Sequence, residues 1–188
     1  TIYEAKKDHK GAQGYFGSYA AQARKAGELE RALCADFRVV KALEAQNRLT
    51  DSRRIYEAIT KAYQDLSEED KIKPCPLDAV AQIQFEAIEE DYEGYLEVSL
   101  DVTDQKTLVK NVDSKLASIE DLKARYTNVL QIGQGDYGIA SLYRIGKIYQ
   151  HMSEAFFSSP CPKKLTDDQC GMYQAALQEQ AYPLEEKA

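Results

Sequence analysis

Leu142-Tyr143-Arg144-Ile145-Gly146-Lys147-Ile148-Tyr149 decides how the rest of this 188-residue chain is read. Large apolar residues stand at 142, 145 and 149, a three-then-four spacing that puts them on one face of a helix. Gly146 shares that face and has no side chain, so the pattern predicts a neighbour that approaches closely there. The same period extends in both directions. It predicts helices over about Gly11–Ala26, Glu28–Gln46, Thr50–Leu66, Leu77–Val98, Gln105–Ile132, Tyr137–Ser158 and Asp167–Ala181, the last running further if Pro183 only kinks it.

The breaks carry their own chemistry. Gly27 stops the first of these helices, and Asn47 suits a left-handed terminator after the second. Thr50 or Asp51, then Asp136, then Thr166 are candidate N-caps. Ser67–Pro76, Asp101–Asp104, Gly133–Asp136 and Ser159–Pro162 read as connections. On the long helix after Gln105, the inward set is Leu108, Val112, Leu116, Ile119, Leu122, Tyr126, Val129 and Leu130. On the one before it, the set is Val80, Ile83, Ala87, Ile88, Tyr92 and Tyr95. No stretch reads as a strand. The expectation is an all-α chain of about seven antiparallel helices, residues 1–188 forming one helical array.

Composition agrees. Hydrophobic residues are 44% and charged residues 29%, with 13 tyrosines, 5 prolines and no tryptophan. That supports a packed helical core and argues against disorder. The net charge of −7 speaks against nonspecific binding to nucleic acid or an anionic membrane, which needs clustered Lys and Arg. No apolar run reaches the roughly 18–20 residues of a membrane span. Thr1 in place of Met and the acidic end Pro183–Ala188 read as ends cut from a longer protein.

Four cysteines, Cys34, Cys75, Cys161 and Cys170, are compatible with disulfides or with buried free thiols. Cys161 and Cys170 bracket a short loop that one bridge can close. Two bridges would imply an oxidising compartment. The spacings are not those of a zinc site, and only His9 and His151 could add imidazole, so no metal or cofactor is expected.

The segment 142–149 resembles the first helix of a tetratricopeptide repeat: a large apolar residue, an aliphatic–Gly pair three and four later, then Tyr. Phe85, Ile88, Glu89 and Tyr92 repeat the spacing, with Glu89 in the small-residue place. Ser52, Tyr56 and Ile59 resemble the second helix, and Leu33–Leu66 spans one unit of the family's usual length of about 34 residues. The chain departs from the family in its longer fourth to sixth helices, its proline-rich connections, and Gln64 where a repeat-ending proline belongs.

A narrower resemblance rests on Tyr126–Leu130, Asp136–Tyr149, Pro160-Cys161-Pro162 and Ala181–Ala188. These are similar to envelope repeat proteins of myxobacteria and their predatory relatives, some associated with gliding motility. The resemblance implies a TPR-like α-solenoid and a protein-interaction scaffold, periplasmic or outer-membrane-associated, without catalysis. It implies a protein or peptide partner met by outward residues of each first helix: Phe37 and Lys41, Glu86 and Glu90, Tyr143 and Lys147. The competing readings are a small-ligand sensor, a structural spacer and, for location, the cytoplasm.

Other candidates have simpler explanations. Glu86, Glu89, Glu90, Asp91 and Glu93 could pair carboxylates, but a solvated helix face accounts for them. His151 has neither a nucleophile nor an orienting carboxylate in recognisable spacing, so it reads as surface or packed. Gly133-Gln134-Gly135 lacks the lysine and preceding strand of a phosphate loop and reads as a turn.

Overall fold

The computed structural model describes residues 2–102 and 104–188. Every regular element among them is helical. In chain order these are α1 (Ile2–Ala5), α2 (His9–Lys25), α3 (Leu29–Glu44), α4 (Leu49–Gln64), α5 (Glu68–Lys71), α6 (Pro74–Glu97), α7 (Gln105–Gln131), α8 (Gly135–Ser158) and α9 (Asp167–Glu185). The seven long helices lie where the apolar period places them; α1 and α5 are additional single turns.

The connections follow from backbone preference. Gly27, Asn47 and Gly133 have φ of 76°, 57° and 83°, the left-handed conformation that closes a helix. Thr166 caps α9 in a reciprocal capping box with Gln169. Two expected caps are displaced. Gln134, not Asp136, accepts from the Tyr137 amide, so α8 begins two residues early. α4 begins at Leu49 with no side-chain cap; Asp51 lies in its first turn and accepts from Arg48 Nε at 2.8 Å. The expected loop 67–76 is largely helical. Ser67 caps α5, and Pro74 and Pro76 fall in the first turn of α6, where a missing N–H loses nothing. Pro183 is accommodated inside α9, which runs on to Glu185.

The chain divides into two compact units, one ending at Gln84 and one starting at Phe85. The buried stripe of α6 changes phase at this boundary. Ala79 and Ile83 belong to the first core, while Phe85, Ile88, Tyr92 and Tyr95 belong to the second. This phase change leaves Ala87, expected inside, exposed.

The first unit is built on small residues. Ala12, Ala20 and Ala23 of α2 and Ala32, Ala35 and Ala42 of α3 are all buried, which lets these two helices lie close together. Leu33, Val40, Ile59, Leu66 and Ile83 complete its core, with Phe37, Ile55 and Tyr56 packed on the edge. Cys34 and Cys75 are paired, with Cα atoms 6.0 Å apart, tying α3 to the start of α6.

The second unit is built on aromatics. Tyr92, Tyr95, Tyr126, Tyr149 and Phe156 form its core with Ile88, Leu108, Ile119, Leu122, Val129, Ile148 and Met152. α7 and α9 both pack on α8. Cys161 and Cys170 are paired, with Cα atoms 5.7 Å apart, closing the loop before α9.

Candidate partner-binding surface

The six residues singled out by resemblance fall in different surroundings. Phe37 is half-buried against the first core, and Lys41 Nζ stands 5.3 Å from its ring centroid while contacting Glu44 at 2.9 Å. On α8, Tyr143 is 59% exposed and Lys147 Nζ stands 5.6 Å over its ring. Each pair is an aromatic followed four residues later by lysine, the spacing that stacks side chains on a helix. Glu86 is half-buried and Glu90 exposed, both on α6.

Between Glu86 and Glu90 lies Glu89, which the acidic run hid. It is not part of a solvated face. Its Oε1 accepts from the Tyr126 hydroxyl at 2.6 Å and from Arg144 Nε at 3.0 Å, and Arg144 makes a second contact to Oε2. The Arg144 guanidinium also lies 4.5 Å over the Tyr92 ring. Burial, then the Glu89 carboxylate, pushes the Tyr126 phenol far above its ordinary range. This network joins α6, α7 and α8, and it takes Glu89 and Arg144 out of the set available to a ligand.

A second polar node is centred on Lys115, which is fully buried. The expected seam placed Leu116 inside, but Leu116 is 43% exposed. The reason is spacing. Leu108, Val112, Lys115, Ile119, Leu122, Tyr126 and Val129 alternate by four and three without a break, and Leu116 interrupts that rhythm. Lys115 Nζ donates to the Tyr95 carbonyl at 2.7 Å and lies 4.0 Å from the Tyr95 ring centroid. Tyr95 is in the last turn of α6, where carbonyls lack intrahelical donors. Lys115 therefore caps α6 from α7, its charge at the negative end of the helix dipole. Desolvation pushes the Lys115 ammonium down to about 8.

Tyr95 completes the node by donating from its hydroxyl to the Ile148 carbonyl at 2.7 Å. His151 meets the Tyr95 ring edge-on, with centroids 5.3 Å apart. Burial first, and then the Lys115 charge, hold His151 below its ordinary value. Its Nδ1 is buried without a hydrogen-bond partner. The node serves as an inter-helix clamp.

Gly146 does admit a close neighbour, but not a helix flank. A Cβ there would stand 2.6 Å from the Ala188 carbonyl oxygen. Leu142, expected to fill a helix interface, is 54% exposed, and Ile139 on the same stripe is 71% exposed.

An apolar recess of the second unit lies elsewhere, on helices that carry none of the six residues. It is an open trough walled by α7 and α9, consisting of two adjoining cavities of ≈ 430 and ≈ 300 Å³. Leu108, Val109 and Tyr173 line both. Leu116 and Leu177 extend the apolar wall, Phe156 lies beneath, and Lys163 and Lys164 stand at one end. Val109 is 54% exposed although it points into an apolar recess. Sequence reasoning missed this trough because Val109 lies off the core stripe. The exposed Val109–Leu116 pair, seven residues apart, was the available signal.

Among the described residues, no group of three or more His, Cys, Asp or Glu side chains is placed to hold a metal ion. Nor is any helix long and apolar enough to cross a membrane. No family model, curated protein or solved structure gives a match to this chain. Among the described residues the protein is all-helical, with two cysteine bridges and an open apolar trough.

Proposed function

We propose that this chain is a protein-interaction scaffold of an extracytoplasmic compartment, holding a segment of a partner protein in the α7–α9 trough. The observation that carries the reading is the trough itself. Its walls are apolar and open to solvent along α7, and burying Val109, Leu116 and the neighbouring faces would release water from surface the chain leaves uncovered. Both cysteine pairs are at bonding distance, which supports an oxidising environment. The resemblance to myxobacterial envelope repeat proteins supports the periplasm or outer membrane within that class and a TPR-like stacking of helices.

The experiment is site-directed photo-crosslinking. A photoreactive side chain at Val109, and separately at Tyr143, is exposed to native envelope extract. Crosslinking of one protein from Val109, lost when Leu116→Glu is added, is the expected result. Crosslinking from Tyr143 alone would move the contact to α8, and none from either position would reject the scaffold reading.

A further inference from the structure

We propose that the occupant of the trough is a short amphipathic helix with oppositely charged ends, its acidic end at Lys163 and Lys164; this rests on the scaffold reading above. Three observations carry it.

The first is shape. α7 and α9 pack on the same helix, α8, and the trough is the space between their outer walls. Its apolar wall runs from Leu108 to Leu116, about 12 Å at 1.5 Å per residue, which matches two to three turns of a docked helix.

The second is charge at the loop end. Lys163 and Lys164 are exposed on the segment closed by the Cys161–Cys170 bridge, so their backbone is held in place. Both lysines line the recess, whereas Asp167 and Asp168, which balance them in the same bridged segment, do not. The carboxylate at this end of the recess, Asp104, stays ionised and offsets part of the lysine charge. It accepts from the Thr107 amide at 2.9 Å and the Thr107 hydroxyl at 2.7 Å, and these bonds hold it below its usual range, with Lys164 a minor contributor. A partner's carboxylates would meet two lysines against one local acid, which leaves this end of the recess with positive charge in excess.

The third is charge at the other end. Asp113 lines the cavity that holds Leu116, Leu177 and Gln180, one helical turn and more along α7 from Val109, and it is exposed. The trough is therefore positive at the loop and negative toward the middle of α7. A partner with an acidic end, an apolar stripe at i, i+3, i+4 and i+7, and a basic end matches it in both polarity and hydrophobicity.

The test uses the full chain with both bridges intact and fluorescently labelled designed helical peptides about 14 residues long. One carries Glu at one end and Lys at the other around a Leu stripe. A second keeps the stripe but has Gln in place of every charge. A third has Lys at both ends. The polarised peptide is expected to bind about fivefold more tightly than the Gln peptide. In the Lys163→Glu, Lys164→Glu variant it is expected to weaken about tenfold, while the doubly basic peptide gains. Val109→Glu should weaken all three.

Equal affinity of polarised and Gln peptides, both lost in Val109→Glu, would overturn the charge assignment and leave the scaffold reading intact. No saturable binding of any peptide would overturn the proposed occupant. If crosslinking to an extract protein from both Val109 and Tyr143 also failed, the scaffold reading would fall with it. One-to-one binding of dodecanoate without peptide binding would replace the peptide with a fatty acid.

Discussion

The two units solve the same problem, packing amphipathic helices, with opposite materials. The first brings α2 and α3 together on alanines, which leave little room between backbones and no polar tips to satisfy. The second fills its core with tyrosines, whose hydroxyls each need a partner. Tyr95 finds the Ile148 carbonyl and Tyr126 finds Glu89. The same core holds the buried Lys115, and the trough opens beside α8. Along α2 and α3 the close packing leaves a recess of ≈ 190 Å³, while the aromatic unit has buried polar clamps and the larger trough. The candidate partner surface accordingly belongs to the second unit.

The bridges differ in the same sense, and the largest predicted effect tests that difference. Cys34–Cys75 spans 41 residues, whereas Cys161–Cys170 spans 9. By the chain-entropy relation, opening them loses about 4 and about 2.5 kcal/mol respectively. Denaturant unfolding of Cys34→Ala, Cys75→Ala and of Cys161→Ala, Cys170→Ala should show the larger loss for the first pair. Equal losses would mean that loop length does not govern either bridge.

Next in size is the alkaline response of Lys115. Its folded value is about 8 against 10.5 in the unfolded chain. Between those values the unfolded chain binds more protons, so this group makes the protein more stable as pH rises and contributes nothing further below pH 8. The gain is at most about 3 kcal/mol, since the Tyr95 carbonyl and ring already offset part of the desolvation. The comparison is wild type against Lys115→Met, followed by thermal unfolding from pH 7 to 10. Wild type should gain on the variant across that range; parallel curves would show that Lys115 carries no unusual proton affinity.

Ala32→Leu probes the tight packing of the first unit and should destabilise it by about 1–3 kcal/mol through overpacking. Tyr126→Phe probes the second unit's polar clamp. Removing the hydroxyl leaves Glu89 its Arg144 partner, so the loss should be about 1 kcal/mol, read by chemical denaturation. A larger effect for Tyr126→Phe than for Ala32→Leu would reverse the contrast between the units.

How much of this was legible follows from what each force writes into a sequence. Helices were legible because burial imposes a period, and their ends because Gly27, Asn47, Gly133 and Thr166 answer local backbone demands. The Cys161–Cys170 pairing is legible from its short loop, whereas Cys34 and Cys75 are candidates on cysteine count alone, because their partnership depends on tertiary approach. The seam of α7 was misread at one position because a hydrophobic search skips lysine; the four-three rhythm pointed to Lys115. Glu89 was read as solvated because its partners, Tyr126 and Arg144, are 37 and 55 residues away. The trough is only half legible because it is made by space between helices: the Val109–Leu116 pair marks its α7 wall, and no single segment encodes the other.

The smallest predicted effect compares the two aromatic–lysine pairs, one in each unit. Lys41 lies over half-buried Phe37 and also contacts Glu44. Lys147 lies over exposed Tyr143 and donates to Gln150 at 2.9 Å. A cation over a solvated ring contributes about 0.5 kcal/mol, and water competes for it fully. A half-buried ring excludes some of that water, and the i,i+3 ion pair adds a few tenths. Lys41→Ala should therefore lower stability by about 1 kcal/mol and Lys147→Ala by about 0.5 or less, measured as the shift in denaturant midpoint at constant slope. The ordering has a functional edge. If Lys147→Ala proves the more damaging, α8 uses Tyr143 and Lys147 to hold itself together. If it is nearly silent, that exposed pair is available for binding at little loss of stability, and it becomes the natural extension of a partner surface beyond the trough.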